Sequence, residues 1–172
     1  KGISIRGVKT SSLQGDKAIL PILQRMGAKL EEGPESLTIH PSSLHGIRID
    51  ASDCPDLVPI LSVAAALAKG TTEIIHAERL RLKECDRLKA MASELTKMGA
   101  HIEERPDGLI IRGVPMLHGA GADSWNDHRV AMSLAIAATR SDGPVILTGS
   151  ESVQKSYPQF WQDYESLGGK IK

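Results

Sequence analysis

Aromatic side chains are scarce in this chain: 3% of its 172 residues, one Phe, two Tyr and two Trp. A core with so few rings has to be built from Leu, Ile, Val, Ala and Met. Cysteine is scarcer still. Cys54 and Cys85 stand apart, with no CxxC spacing and no His at ligand spacing nearby. That excludes a disulfide scaffold and a zinc site, and it predicts a reducing, cytoplasmic setting.

Charge of neither sign is in excess. Lys plus Arg and Asp plus Glu number 21 each, for a formal net charge of zero. Proteins that bind nucleic acid or membrane surfaces through their overall field carry a basic surplus, so the balance argues against both partners. Any anion site must be a local cluster. Long apolar runs are missing too. The longest candidate, Leu57 to Ala68, includes Pro59 and falls well short of the roughly 20 residues that cross a bilayer. No signal peptide opens the chain, and a first residue of Lys1 rather than Met predicts a trimmed product or a piece of a longer protein.

What the chain does contain is repetition. QRMGAKLEEGPESLTIHP (Gln24 to Pro41) matches TKMGAHIEERPDGLIIRG (Thr96 to Gly113), 72 residues on, and SLGGKIK (Ser166 to Lys172) begins the phrase a third time. Each copy reads as an amphipathic helix, a glycine C-cap and two short strands joined by a turn. Helices are predicted over Asp16–Met26, Leu57–Ala68, Arg129–Arg140 and Pro158–Leu167. Strands are predicted at ISIRGV, Ile47–Ser52, TTEIIHAE and Pro144–Gly149. The alternation implies an α/β fold of repeated βαβαββ units, and the absence of linkers favours one domain over residues 1–172.

Charged residues gather where helices are predicted to start. From Leu88 of RLRLKECDRLKAM onward, Leu88, Met91, Ala92, Leu95 and Met98 form a core-facing stripe. Lys83, Glu84 and Arg87 precede it at spacings that would share one helical face, an ordinary solvated helix start with an i, i+3 ion pair. Cations at a helix N-terminus nevertheless oppose its dipole, and a bound phosphate or carboxylate would reverse that sign. WNDHRVAM repeats the pattern with Asp127, a candidate cap, then His128 and Arg129. In VQKSYP, Lys155 precedes another helix. In SDCPDLVP, Asp53 or Asp56 reads most simply as an N-cap, and SSLQGD (Ser11 to Asp16) leads into a helix as well. If these starts face one way, their cations converge on a site for a multiply anionic small molecule, with carboxylates at hand for proton transfer.

LRLKECDRLKAM, NDHRVAM and KSYP, in this order and at this spacing, closely resemble the 5-enolpyruvylshikimate-3-phosphate synthase family, the 3-phosphoshikimate 1-carboxyvinyltransferases. SLQGD and DCPDLVPILSVAAALAKGTT are similar to the same family, so the resemblance covers essentially the whole chain. It implies a two-domain enzyme, each domain built from three βαβαββ units, with substrates bound in the cleft between. This chain would be roughly its C-terminal 40%, without the N-terminal portion of the enzyme. The implied reaction joins the 5-hydroxyl of shikimate 3-phosphate to C2 of phosphoenolpyruvate and eliminates phosphate, without metal or organic cofactor. By resemblance, Asp56 would accept the hydroxyl proton and Glu84 would donate a proton to phosphoenolpyruvate. Lys83 would contact shikimate 3-phosphate, and Arg87, Arg129 and Lys155 would hold phosphoenolpyruvate, with His128 beside them. Cys85 stands where the family usually has Ser or Thr. Two other readings stay open: another enolpyruvyl transferase of this fold, such as the enzyme acting on UDP-N-acetylglucosamine, and a non-catalytic binding or assembly module. The first lacks the pairing of KExDR with DHR.

Overall fold

The computed structural model describes residues 2–8 and 14–171, so Ser11, Ser12 and Leu13 of the SSLQGD stretch lie outside the described residues. Strand β1 (Ile3–Arg6), helix α1 (Ile19–Arg25) and strands β2 (Lys29–Gly33) and β3 (Ser36–His40) form the second half of a unit. Its antiparallel sheet has the order β1-β3-β2. A whole unit follows: β4 (Arg48–Asp50), α2 (Val58–Ala66), β5 (Thr71–Ile75), α3 (Arg87–Lys97), β6 (His101–Arg105) and β7 (Gly108–Arg112). Its sheet runs β4-β5-β7-β6. Strands β4 and β5 are parallel, which a tight turn cannot connect, so the chain crosses over through α2. Then β8 (Gly121–Asp123), α4 (His128–Ala138), β9 (Ile146–Thr148) and α5 (Phe160–Ser166) begin a third unit, with β8 and β9 again parallel. The fold is therefore α/β with βαβαββ units, one whole and two partial.

Sequence repetition carries through to register. Leu30 faces Ile39 in the first hairpin and Ile102 faces Ile111 in the second. Ile5 faces Leu37 on β1, as Ile74 faces Leu109 on β5. The two Met-Gly-Ala phrases end their helices in the same way. Gly27 and Gly99 have φ of 97° and 87°, the left-handed cap that a side chain would strain. A Cβ on either would also strike an imidazole, His45 at 2.9 Å or His118 at 2.5 Å. Those two histidines accept the repeat one step further, each donating its backbone N–H to the preceding methionine carbonyl, Met26 or Met98.

Helix α2 is apolar on nearly all sides because most of it is covered, lying against α3, α4 and the four-stranded sheet, with only Ile60 and Ala64 partly buried. Its alanines, with those of α4, allow close approach of the helices. Helix α3 is amphipathic, and Leu88, Met91, Leu95 and Met98 are all fully buried, each contributing roughly 1.5–3 kcal/mol. Four of the five aromatic residues, Tyr157, Phe160, Trp161 and Tyr164, form a separate cluster, with Phe160 packing against Ala131, Ala135 and Val153. The buried main core is left almost wholly to aliphatic and Met side chains, with Trp125 packed against it. Among the described residues no helix is long and apolar enough to cross a membrane.

Two local expectations are corrected. Lys83 and Glu84 do not lie on α3: a 3-10 stretch at Glu78–Leu82 ends before them, and the helix starts at Arg87. Asp86 is the cap, its carboxylate accepting from the Lys89 N–H at 3.1 Å. Neither Asp53 nor Asp56 caps α2, because a 3-10 turn, Pro55–Leu57, precedes it and places Asp56 inside the turn. Pro55 and Pro59 both sit in first turns, where a missing N–H costs no hydrogen bond.

Candidate active site

Parallel strands present their carboxyl ends on one edge, where α/β folds place ligands. All seven expected site residues follow such ends. Asp56 comes after β4, and Lys83, Glu84 and Arg87 after β5. His128 and Arg129 come after β8, and Lys155 after β9. Asp56 and Arg129 occupy corresponding places, at the first helix of consecutive units. Lys83 and Lys155 do so too, at the end of the 3-10 stretches Glu78–Leu82 and Ser150–Lys155. A folding repeat thus brings unlike side chains to one place.

Arg87 is the hub. Its side chain is 1% exposed, and its donors are taken by three carboxylates: Nε by Asp127 at 2.7 Å, Nη1 by Asp56 at 2.9 Å and Nη2 by Glu84 at 2.7 Å. Asp127 is itself fully buried and caps α4, accepting from the N–H groups of Arg129 at 2.8 Å and Val130 at 3.3 Å. Asp56 also meets Lys83 Nζ at 3.3 Å and Arg129 Nη2 at 3.6 Å. Arg129 donates to the Asp56 carbonyl at 3.2 Å and lies 3.7 Å from Asp16. His128 Nδ1 is 3.9 Å from Glu84 Oε1 and has no hydrogen-bond partner among the described residues. Six of the seven residues therefore join one network. Lys155 stands one step away, donating to the carbonyl and the side-chain oxygen of Asn126, next to Asp127.

The electrostatics follow from burial opposed by partners. Burial pushes the Asp127 carboxyl up, but hydrogen bonds from Arg87 and two backbone N–H groups hold it below the usual carboxylate range. Burial likewise opposes ionisation of Asp56, and Arg129, Lys83 and Arg87 outweigh it. Arg87 stays firmly protonated although burial favours losing the charge. Beside them, burial and the Asp127 charge push the Cys85 thiol up to about 12. The cations Lys83, Arg87, Arg129 and Lys155 are matched in number by Asp16, Asp56, Glu84 and Asp127. The chain's own carboxylates thus pair with Lys83, Arg87 and Arg129, while Lys155 meets the neutral oxygens of Asn126. Lys83, Arg129 and Lys155 remain partly or wholly exposed.

Four contributors were not assigned from sequence. Asp127 read as a cap, yet it also anchors Arg87. Asp16 and Asn126 had no signal beyond their positions near helix starts. Arg81 fastens the loop before α3 by donating to the Pro106 and Arg105 carbonyls and pairing with Asp86 and Glu104. A hollow of about 500 Å³, lined by Ser52, Asp53, Pro55, Arg79, Leu82 and Lys83, opens beside the network. A second, of about 600 Å³ near Gln24, Lys29 and His40, contains none of the site residues. Among the described residues no group of three or more His, Cys, Asp or Glu side chains is arranged to hold a metal ion.

The chain is similar to known proteins over nearly its whole length. The family model for EPSP synthase (3-phosphoshikimate 1-carboxyvinyltransferase) matches residues 1–164. The 3-phosphoshikimate 1-carboxyvinyltransferase of Clostridium novyi is 57% identical over 175 residues, covering 99% of this chain and 40% of that protein. That of Clostridium acetobutylicum is 57% identical over 169 residues, covering 98% and 39%. The EPSP synthase structure from Acinetobacter baumannii superposes with a TM-score of 0.87 at 30% identity, covering 99% of this chain and 42% of that one. The chain thus spans about two-fifths of the length of the relatives it matches. With the motifs, the repeat architecture and the sequence match all in agreement, the chain belongs to the EPSP synthase (3-phosphoshikimate 1-carboxyvinyltransferase) family.

Proposed function

We propose that residues 1–172 form a single domain from the C-terminal portion of a cytoplasmic enolpyruvyl transferase. In this reading it supplies one wall of a site joining phosphoenolpyruvate to the 5-hydroxyl of shikimate 3-phosphate. The observation that carries the reading is the convergence of Asp56, Glu84 and Asp127 on the Arg87 guanidinium, with Lys83 and Arg129 at its edge. Asp56 accepts the hydroxyl proton as the oxygen attacks C2. Glu84 delivers a proton to the methylene carbon, making it a methyl group, and takes one back as phosphate leaves. Lys83 meets the shikimate phosphate, while Arg129 and Lys155 meet phosphoenolpyruvate. Arg87 reaches phosphoenolpyruvate only where the substrate displaces one of its carboxylates, and His128 stands by Glu84.

Such cations act strongly only when water is excluded, and this wall alone does not enclose the cleft. The chain alone is expected to bind phosphoenolpyruvate weakly and to release no phosphate. Mixed with a separately produced N-terminal portion of the enzyme, it is expected to turn over. Glu84→Gln in the mixture should lower the rate by roughly 100-fold or more. Phosphate release by the chain alone overturns the half-site reading, and an undiminished rate for Glu84→Gln overturns the proton-donor role.

A further inference from the structure

Glu94 lies two helical turns beyond Arg87 on the same side of α3. A carboxylate in an amphipathic helix belongs on the wet face, yet Glu94 is 1% exposed. Every lone pair it offers is used. Oε1 accepts from Trp125 Nε1 at 2.9 Å, Lys97 Nζ at 2.8 Å and Ser93 Oγ at 3.3 Å. Oε2 accepts from the Asp123 N–H at 3.0 Å and from Lys97 at 2.7 Å. Two of these donors belong to the end of β8 and the turn that links it to α4.

That turn has an unusual backbone. Trp125 and Asn126 both have φ of 54°, consecutive left-handed residues in a region that bulky side chains seldom adopt. Helix α3 grips it at two points: Arg87 holds Asp127, and Glu94 holds Asp123 and Trp125. Between the two grips, Asn126 turns both of its oxygens toward Lys155 Nζ. Capping does not require Glu94, since Asp127 already caps α4.

We propose that Glu94 is a positioning residue for the anion site, holding the β8–α4 turn in the form that presents Asn126 to Lys155. It touches no substrate itself. The inference rests on the reading of these cations as a phosphate and carboxylate site.

Inorganic phosphate is the probe, titrated onto the chain by calorimetry at a temperature where each variant is folded by circular dichroism. Glu94→Gln loses the anionic acceptor, and phosphate is expected to bind roughly tenfold more weakly. Lys155→Met also weakens binding, and the double variant is expected to be no weaker than Lys155→Met alone. A merely structural role would lower the unfolding midpoint and leave the affinity of the folded protein unchanged, or would add to Lys155→Met. Trp125→Phe removes only the indole donor and is expected to bind roughly threefold more weakly, so it decides the matter if Glu94→Gln does not fold. Equal phosphate affinity in the unaltered chain, Glu94→Gln and Trp125→Phe overturns the proposal. No phosphate binding by the unaltered chain overturns the anion-site reading and this inference with it, an outcome seen before any variant is made.

Discussion

The phrase Met-Gly-Ala with its hairpin occurs twice, at residues 26–40 and 98–112, and the two copies meet different surroundings. Their strand registers and glycine caps correspond. In the second copy α3 buries seven residues, and β5 has β4 on its far edge. In the first, α1 buries only Ile22, and β1, the counterpart of β5, is exposed along its whole length. The neighbours make the difference: α2 and α4 crowd α3, and nothing comparable covers α1 among the described residues. Charge follows burial. At the start of α3, Arg87 is sealed among three carboxylates, whereas before α1 the half-exposed Asp16 reaches Arg129 at 3.7 Å. The repeat builds a scaffold twice; only the enclosed copy becomes a place where charges are tightly held.

The sharpest way to break that contrast is at the two helix starts. Arg87→Met leaves Asp127 fully buried without its counter-charge, and removing one partner of a buried pair costs roughly 3–5 kcal/mol. Asp16→Asn removes one side of a distant, half-exposed pair and is expected to cost at most about 0.5 kcal/mol. Urea unfolding of both variants measures the difference. Comparable losses would mean that enclosure does not separate the two starts.

A smaller effect is expected between equivalent leucines of the two hairpins. Leu109 is fully buried under α2 and α3, so Leu109→Ala should cost roughly 2–5 kcal/mol, the range set by how far the cavity can collapse. Leu37→Ala deletes the same side chain from a sheet whose β1 edge is open, where relaxation is easier. It should cost about 2 kcal/mol, the low end of that range. Amide hydrogen exchange sharpens the same point: β1–β3 should exchange through local opening while β5 and β7 wait for global unfolding.

The scaffold was largely legible in the sequence because periodicity and glycine caps are local signals. The stripe from Leu88 to Met98, the cap at Asp127 and the doubled hairpin all stand as expected. The 3-10 turns were not legible. They shift Asp56 off the cap of α2 and move Lys83 and Glu84 off α3, and no spacing rule separates three residues of 3-10 helix from the first turn of an α-helix. The partners of the charges were hidden for a different reason. Arg87 meets Asp127, 40 residues away, and Arg129 meets Asp56, 73 residues away. Periodicity tells which face of a helix is buried, not which side chain waits on the other side.

The smallest expected effect has the opposite sign to the others. Asp56 accepts from Arg87 at 2.9 Å and faces Lys83 at 3.3 Å and Arg129 at 3.6 Å, so it occupies the charge that an anionic substrate would use. Asn is nearly the same shape without the charge. Asp56→Asn should therefore bind inorganic phosphate more tightly than the unaltered chain, by roughly 3–10-fold, the scale of a partly exposed ion pair. On the proposed role of Asp56, turnover in the complemented enzyme should move the other way, because an amide cannot take the hydroxyl proton. At the open start of α1, Asp16→Asn should change phosphate affinity less, since Asp16 meets one cation and only at 3.7 Å. Weaker phosphate binding by Asp56→Asn would mean that the carboxylate orders Lys83 and Arg129 for the substrate instead of competing with it. The enclosed helix start would then be a prepared site, not a self-occupied one.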